Sequence, residues 1–328
     1  MAILVTGCAG FIGYHLTKRL LNEGFSVVGI DNVNAYYDIE LKKNRLAELQ
    51  KNADAEFSFY ELDICNKEAL KILFMHHDFE IVYHLAAQAG VRYSLENPLL
   101  YQKVNGEGFL NVLELAREHF VTKFVYASSS SVYGDNPAQL SAEHHNVDKP
   151  VSLYAATKRS NELVAHVYNS LYGISCTGLR FFTVYGPWGR PDMAYYIFTK
   201  SILENKTIKL FNCGKMSRSF TYVDDIVDGI MILCHNRREV TPGSLILNIG
   251  NDQSIELERM VKILEQLLNK RAIIQYDSLQ LGDVINTAAD ITVARSLGFN
   301  PKVNLETGLR KFVQWYLDYY HIKSNQLL

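Results

Sequence analysis

Apolar residues along this 328-residue chain recur with two different periods. A short run, Ala2–Val5, opens the sequence. It is followed by the turn Thr6-Gly7-Cys8-Ala9-Gly10-Phe11-Ile12-Gly13, an apolar-periodic segment to Asn22, and a second run, Phe25–Ile30, that closes on Asp31. This reads as strand, glycine turn, helix and strand. Alternation in Phe57–Leu62 predicts a third strand ending at Asp63-Ile64, Glu80–His84 a fourth, and Lys123–Ala127 a fifth. Between them, Tyr37–Lys51 (with Glu40, Lys42, Lys43, Arg45 and Glu48) predicts a helix with a solvated charged face. Pro98–Glu118 predicts a long helix holding Asn105 and Gly106, and Ser152–Tyr172 another. Strands alternating with helices imply an α/β fold, a doubly wound parallel sheet whose ligands sit at the carboxyl ends of the strands. From about Phe182 the alternation weakens, and Gly186-Pro187-Trp188-Gly189-Arg190-Pro191 is a loop by its glycine and proline content. Beyond it come a helix Met193–Glu204, a strand Ile208–Phe211, Ser219–Val223, a helix Asp224–His235, a strand Leu245–Ile249, and helices near Glu256–Asn269, Ile291–Leu297 and Glu306–Tyr320. The expected organisation is one α/β domain of residues 1–186 to which 219–250 returns, and a smaller, interleaved α/β domain made of 187–218 and 251–328.

Composition changes the picture little and excludes much. With 48% hydrophobic residues the chain can bury a large core. A formal net charge of −2 provides no basic field to draw nucleic acid or anionic lipid, so a small polar ligand is the expected partner. Five scattered cysteines without a C-x-x-C spacing argue against a disulfide framework and against a zinc site. A reducing cytoplasm fits, and no metal is expected. The opening Met-Ala-Ile-Leu-Val lacks a basic leader and reads as a buried strand. No apolar run approaches the ~20 residues of a membrane helix.

The glycine turn carries the first candidate chemistry. Gly7 allows the tight turn, Gly10 lets backbone approach a pyrophosphate, and Gly13 lets helix pack closely on strand. The helix N-terminus then offers unsatisfied N–H groups to phosphate. Asp31, ending the second strand, would accept hydrogen bonds from the adenosine ribose hydroxyls and repel a 2′-phosphate, which favours NAD over NADP. Asp63, just past the third strand, would either bond an adenine amino group or cap the helix beginning near Asn66. The small residues of Leu85-Ala86-Ala87-Gln88-Ala89-Gly90 let backbone lie close against a cofactor or simply pack tightly. Asn105 would tie down backbone.

The fifth strand runs into Ser128-Ser129-Ser130-Ser131-Val132-Tyr133-Gly134, and Tyr154 and Lys158 follow at i and i+4, on one face of a helix. A tyrosine has an ordinary pKa of roughly 10, too high for a base at neutral pH. A nearby ammonium and a positive nicotinamide would favour its phenolate. Lys158 can also hold the nicotinamide ribose.

These stretches together resemble the extended short-chain dehydrogenase/reductase family, with its Rossmann-like sheet, and within it the nucleotide-sugar epimerases, above all the UDP-glucuronate 4-epimerases. The resemblance spans essentially the whole chain and rests on Thr6–Gly13, Leu85–Pro98, Tyr126–Gly134, Tyr154–Lys158, Arg180–Ala194 and Gly214–Asp225. It implies Tyr154 as base, Lys158 as its partner, and Ser129 as the hydroxyl bonding the reacting sugar oxygen. It implies that Phe11, Ile12, Asn32, Ile64, Leu85, Ala86, Ala87, Gln88 and Asn105 border the NAD, with Tyr185 and Pro187 flanking its nicotinamide. Arg92, Ser130 and Arg218 would meet the UDP-sugar, and Asp283 lies in the family's later nucleotide-binding stretch, where Leu281 replaces the usual proline. Relatives also pair the helices matching Pro98–Glu118 and Ser152–Tyr172 into a homodimer.

The implied reaction removes the proton of the sugar 4-hydroxyl to Tyr154 while C4 gives hydride to NAD; the 4-keto sugar turns over and takes the hydride back on its other face. With a glucuronate the keto sugar is a β-keto acid, which loses CO2 unless its carboxylate is held near the ketone plane. Arg190, with a planar fork suited to a carboxylate, and Thr183 are the candidates to hold it. The alternative for Arg190 is a loop residue paired with Asp192. Other readings are a UDP-hexose epimerase, a decarboxylase or dehydratase on the same scaffold, and a non-catalytic NAD-binding regulator. Dehydratases carry Asp-Glu directly after the catalytic hydroxyl residue, where Ser130-Ser131 stand here; regulators typically lose the tyrosine or lysine, and both are present.

Overall fold

The apolar runs assemble as parallel strands, and the chain order of those strands is where the fold begins. In a computed structural model that describes residues 1–51, 56–135, 140–235, 244–278 and 286–322, the strands are β1 (Ala2–Thr6), β2 (Val27–Asp31), β3 (Phe57–Glu61), β4 (Phe79–His84), β5 (Lys123–Ser129), β6 (Ser175–Phe181), β7 (Thr183–Tyr185), β8 (Thr207–Leu210), β9 (Ser217–Tyr222), β10 (Ser244–Ile249), β11 (Ser254–Glu256), β12 (Ile273–Tyr276) and β13 (Asn286–Thr287). Seven of them form one sheet in the order β10, β6, β5, β4, β1, β2, β3, with every neighbouring pair parallel. This is the doubly wound α/β sheet that the alternation predicts.

Both faces of the sheet are covered, which is why its strands read as near-continuous apolar runs. Leu4, Val28, Val82 and Phe124 pack on one face against Leu70 and Phe74 of helix Lys67–His76 and Val112 and Leu113 of helix Phe109–Glu118. Ile3, Val5, Ile81 and Val125 face the other way, onto Leu16 and Leu20 of helix Phe11–Asn22 and Ile226 and Ile230 of helix Val223–Ile230. That second core runs on without a break into Leu264 of helix Leu257–Leu268 and Phe312 of helix Leu305–Tyr319.

The later strands build a smaller mixed sheet, in which β9 lies between β11, antiparallel, and β13, parallel, and also pairs in parallel with β7. The sheet change therefore falls before residue 186. Phe182 N still bonds Ile249 O of the large sheet, and Thr183 already pairs with Phe220. The return to the large sheet also starts later than 219, because β9 belongs to the small sheet and only Ser244–Ile249 rejoins β6.

Two predicted helices are interrupted. The segment 98–118 is helical at Pro98–Tyr101 and Phe109–Glu118 with a widened π turn, Gln102–Gly108, between them; helix Val223–Ile230 likewise passes into a π turn, Met231–His235. At the first of these, Asn161 Nδ2 donates to Asn105 O and Gly108 sits under Ile64, so the extra residue is held by its neighbours.

Candidate active site

The turn after β1 leaves room for backbone and little else. Gly7 has φ +73°, and a Cβ on Gly13 would collide with Gly7 O, so the first glycine makes the turn and the last lets the helix seat on it. Helix Phe11–Asn22 has Gly10 as its N-cap with no side-chain cap, which leaves its first N–H groups directed at the cleft. Asp31, almost fully buried, accepts from Ala9 N at 3.2 Å and Val33 N at 2.8 Å. Burial raises its carboxyl pKa against the lowering charge of Lys42 and those two backbone bonds.

Asp63 does not cap the following helix. That is done by Asn66, whose side chain accepts from Ala69 N, while Asp63 accepts from Cys65 N and from Asn32 Nδ2 at 2.8 Å. At the end of β4, Thr6 Oγ1 accepts from Ala86 N, and Asn105 bonds both backbone atoms of Gln88: its Oδ1 accepts from Gln88 N at 2.8 Å and its Nδ2 donates to Gln88 O at 3.0 Å. The same Nδ2 reaches Thr157 Oγ1, so the buried asparagine ties the β4 loop to the helix carrying Tyr154.

Ser152 caps that helix, Leu153–Tyr172, accepting from Ala155 N, and Gly173 ends it in a left-handed conformation. Tyr154 and Lys158 both reach the cleft. Burial raises the Tyr154 phenol above its ordinary value, although the hydrogen bond from Ser129 and the charge of Arg190 pull it down. Lys158 is not among the groups that lower it. Its ammonium is turned to Ala127 O, 2.9 Å away, and burial pushes its own pKa down to about 8. Arg190 is thus a cation whose charge favours the phenolate, one that spacing along the chain did not point to. Behind Ser129, Ser128 Oγ donates to Glu162, which also receives Arg180 through Nε at 2.8 Å and Nη2 at 2.9 Å. This buried pair fixes the end of β5 against the helix one turn past Lys158.

One cleft gathers Gly7, Gly10, Phe11, Ile12, Gly13, Asp31, Asn32, Asp63, Ile64, Leu85, Ala86, Ala87, Gln88, Ser129, Ser130, Tyr154, Lys158, Thr183 and Arg190. Several predicted residues stand elsewhere. Asn105 lies behind the lining, as described. Tyr185 is fully buried against Gly308, with its hydroxyl donating to Asn304 O at 3.2 Å, and Val184 lines the cleft instead. Pro187 presents its carbonyl to His15 and not to the cleft. Arg92 lies over the Phe211 ring, and Arg218, on β9, donates to Ser217 O. Asp283 lies outside the described residues.

Arg190 makes the pairing with Asp192 that its alternative reading expects, and does so at the edge of the cleft. It lines the cleft, and its fork is engaged by Asp192, with Nε at 3.0 Å from Oδ1 and Nη2 at 2.6 Å from Oδ2. Tyr36 also donates to Asp192. Two charged groups escaped the sequence reading: Lys42 lines the cleft near Asp31, and Arg45 is fully buried, although both belong to the helix expected to show only a solvated charged face. They stand at the i and i+3 positions of a stripe completed by Leu46 and Leu49, which is the signal that placed them inward.

The chain matches the NAD dependent epimerase/dehydratase family over residues 3–250. UDP-glucuronate 4-epimerase 4 of Arabidopsis thaliana is 46% identical to it over 337 residues, 98% of this chain and 76% of that protein. Among solved structures, UDP-glucuronic acid 4-epimerase from Bacillus cereus, in complex with UDP-glucuronic acid and NAD, is 35% identical with a TM-score of 0.91, covering 98% of this chain and 100% of that one. UDP-glucose 4-epimerase from Thermotoga maritima, with UDP-glucose, is 31% identical with a TM-score of 0.86 over 98% and 100% of the two chains.

Proposed function

The chain belongs to the NAD dependent epimerase/dehydratase family, and from that premise we propose that it is an NAD-dependent UDP-glucuronate 4-epimerase, interconverting UDP-glucuronate and UDP-galacturonate. The observation that carries the choice of sugar is Arg190 in one cleft with Tyr154, Ser129 and Thr183. The uncapped helix N-terminus, the glycine turn without space for a Cβ and the Asp31 carboxylate fit a dinucleotide. When bound there, NAD supplies the site for transient storage of a hydride. Tyr154 receives the proton of the sugar 4-hydroxyl at its phenol oxygen and returns it, and Ser129, whose hydrogen bond favours the phenolate, bonds the reacting sugar oxygen. Arg190 and Thr183 hold the sugar carboxylate near the plane of the C4 ketone, where loss of CO2 is slow, with Asp192 and Tyr36 keeping the guanidinium aligned. In this reading the large sheet, residues 1–182 with the returning strand Ser244–Ile249, holds NAD, and the small sheet with the segments around it binds the nucleotide sugar.

Incubating purified protein with UDP-glucuronate tests it: an isomeric UDP-uronate is the expected product, while dominant CO2 release or no turnover would reject the assignment. Arg190→Ala should reduce uronate turnover about ten- to a hundredfold, the value of one charge-assisted bond at roughly 1.5–3 kcal/mol, and raise the share of UDP-pentose. Equal losses on UDP-glucuronate and UDP-glucose would leave Arg190 a loop residue. Asp31→Ala should weaken NAD by a similar factor and relax discrimination against NADP; a native protein that binds NADP as well as NAD would remove that role.

A homodimer completes the reading. Leu95, Leu99, Leu110, Leu163, Val167 and Leu171 are exposed on and around the helices of 98–118 and 153–172, and a second copy would cover them. Sedimentation at twice the chain mass is the expected result, and a monomer at micromolar concentration would oppose it. All five cysteines are free thiols, which suits the cytoplasm, and a role in supplying uronate units for polysaccharide follows from the product. Among the described residues no helix is long and apolar enough to cross a membrane.

A further inference from the structure

Three successive backbone carbonyls immediately before Arg190 point at donors on the first two helices. Pro187 O accepts from His15 Nε2 at 3.0 Å, and Arg45 Nη2 donates to Trp188 O at 2.5 Å and to Gly189 O at 3.2 Å. At its other end the same guanidinium donates through Nη1 to Ala9 O, in the glycine turn, and to the Tyr37 hydroxyl, both at 2.7 Å. Arg45 has no exposed surface. Burial pushes the His15 imidazole down to about 3, so it is a neutral donor at working pH and the charge at these carbonyls comes from Arg45. The loop needs such an anchor. Trp188 is held at φ +59°, a left-handed conformation unusual for a bulky side chain, and a Cβ on Gly189 would collide with the Tyr195 hydroxyl. Backbone strained in this way persists only where the surroundings over-determine it.

We propose that Arg45 is a positioning residue for Arg190. By bridging Ala9 O to Trp188 O and Gly189 O, it fixes the start of the substrate loop against the cofactor turn, and so sets both the preference for a uronate and the retention of its carboxylate. The proposal rests on the uronate reading above. A guanidinium is required because its planar fork spans two separate carbonyl groups, whereas an ammonium is a single point donor. Without it the loop carrying Arg190 and Asp192 keeps the neutral His15 bond and the packing of the Trp188 ring on Tyr14, Trp315 and Tyr319, but loses both bonds at Trp188 O and Gly189 O, and the Arg190 guanidinium no longer meets the sugar carboxylate at one angle.

The test uses full-length protein and the variants Arg45→Met and Arg45→Lys, with bound NAD and melting temperature recorded for each. Calorimetric affinities for UDP-glucuronate and UDP-glucose give a preference ratio, the UDP-pentose share of turnover reports lost carboxylate, and hydrogen exchange of the peptide covering residues 186–193 reports the loop itself. In Arg45→Met the preference ratio should fall at least fivefold, the pentose share should rise, and exchange in 186–193 should quicken at least tenfold; Arg45→Lys should lie between it and native on all three. A variant that melts lower but keeps the native ratio, pentose share and loop exchange would overturn the proposal. If Arg45→Met does not fold, Arg45→Lys carries the same three readouts. A native protein without preference for UDP-glucuronate would instead overturn the uronate reading, and loop exchange alone would then decide the anchoring: unchanged exchange in the variant refutes it.

Discussion

Replacing Tyr154 by phenylalanine is expected to lower turnover by about 10²–10⁴-fold while leaving the fold and the bound NAD as they are, the range that a general base contributes. Only one oxygen is removed. The ring remains in its edge contact with Tyr101, at a centroid distance of 6.1 Å, and the capping of its helix by Ser152 does not involve it. The same oxygen sets a pH dependence. In the protein without cofactor, burial outweighs the Ser129 hydrogen bond and the Arg190 charge and keeps the phenol protonated beyond its ordinary range. A cationic nicotinamide adds a further pull toward the phenolate. Native turnover should therefore rise with pH until the phenol is ionised, and Tyr154→Phe should lose that rise together with its rate. Near-native epimerisation by the variant, measured in a coupled assay with cofactor content checked by absorbance, would mean that another group takes the proton.

How far the sequence leads depends on what each residue contributes to a periodic pattern. The seven parallel strands are legible because strands buried on both faces leave apolar runs, and the glycine turn because Gly7 and Gly13 occupy positions where a Cβ would strike backbone. Asn105 is legible as a tie to backbone, since an amide within a buried stretch has to find partners, and it finds Gln88. The sheet change between Phe182 and Thr183 is not, because a three-residue strand is too short to show a period. Lys42 and Arg45 were hidden by their charge. A cation counts as polar in any hydrophobicity pattern, and nothing local says that carbonyls of a loop more than 140 residues away would receive it. Tyr185 misled for the opposite reason: a resemblance gave it a place beside the cofactor, while packing against Gly308 puts its ring in the core. The candidate residues that line the cleft were thus readable from spacing and resemblance, and the network around them was not.

Lys158→Met should abolish most turnover and yet melt above the native protein at neutral pH when cofactor is stripped from both. Lys158 is almost completely buried, its ammonium bonded to Ala127 O, and burial pushes its pKa from 10.5 down to about 8. At roughly 1.4 kcal/mol per pKa unit, carrying that charge inside the folded chain costs about 3 kcal/mol at pH 7 relative to the unfolded chain. Methionine removes the charge with little change of shape, and the lost ammonium bond to Ala127 O takes back about 1.5 kcal/mol of that gain, the low end for a bond to a charged group. A net gain near 1.5 kcal/mol, by those values, corresponds to a rise of a few degrees, on the scale of about 2–4 °C per kcal/mol for chains somewhat shorter than this one. The sign of the pH effect follows from proton counts. Below pH 8 both folded and unfolded lysine are charged and the penalty is complete. Between pH 8 and 10.5 the unfolded chain holds more protons than the folded one, so native stability rises with pH relative to the variant and the gap closes. Thermal unfolding of the two proteins at pH 7 and again near pH 10 measures both effects. A variant that melts below native at pH 7, or a gap that ignores pH, would show that the ammonium is held by more favourable contacts than its bond to Ala127, and that the site carries no stability cost for keeping a buried lysine ready to meet its ligands.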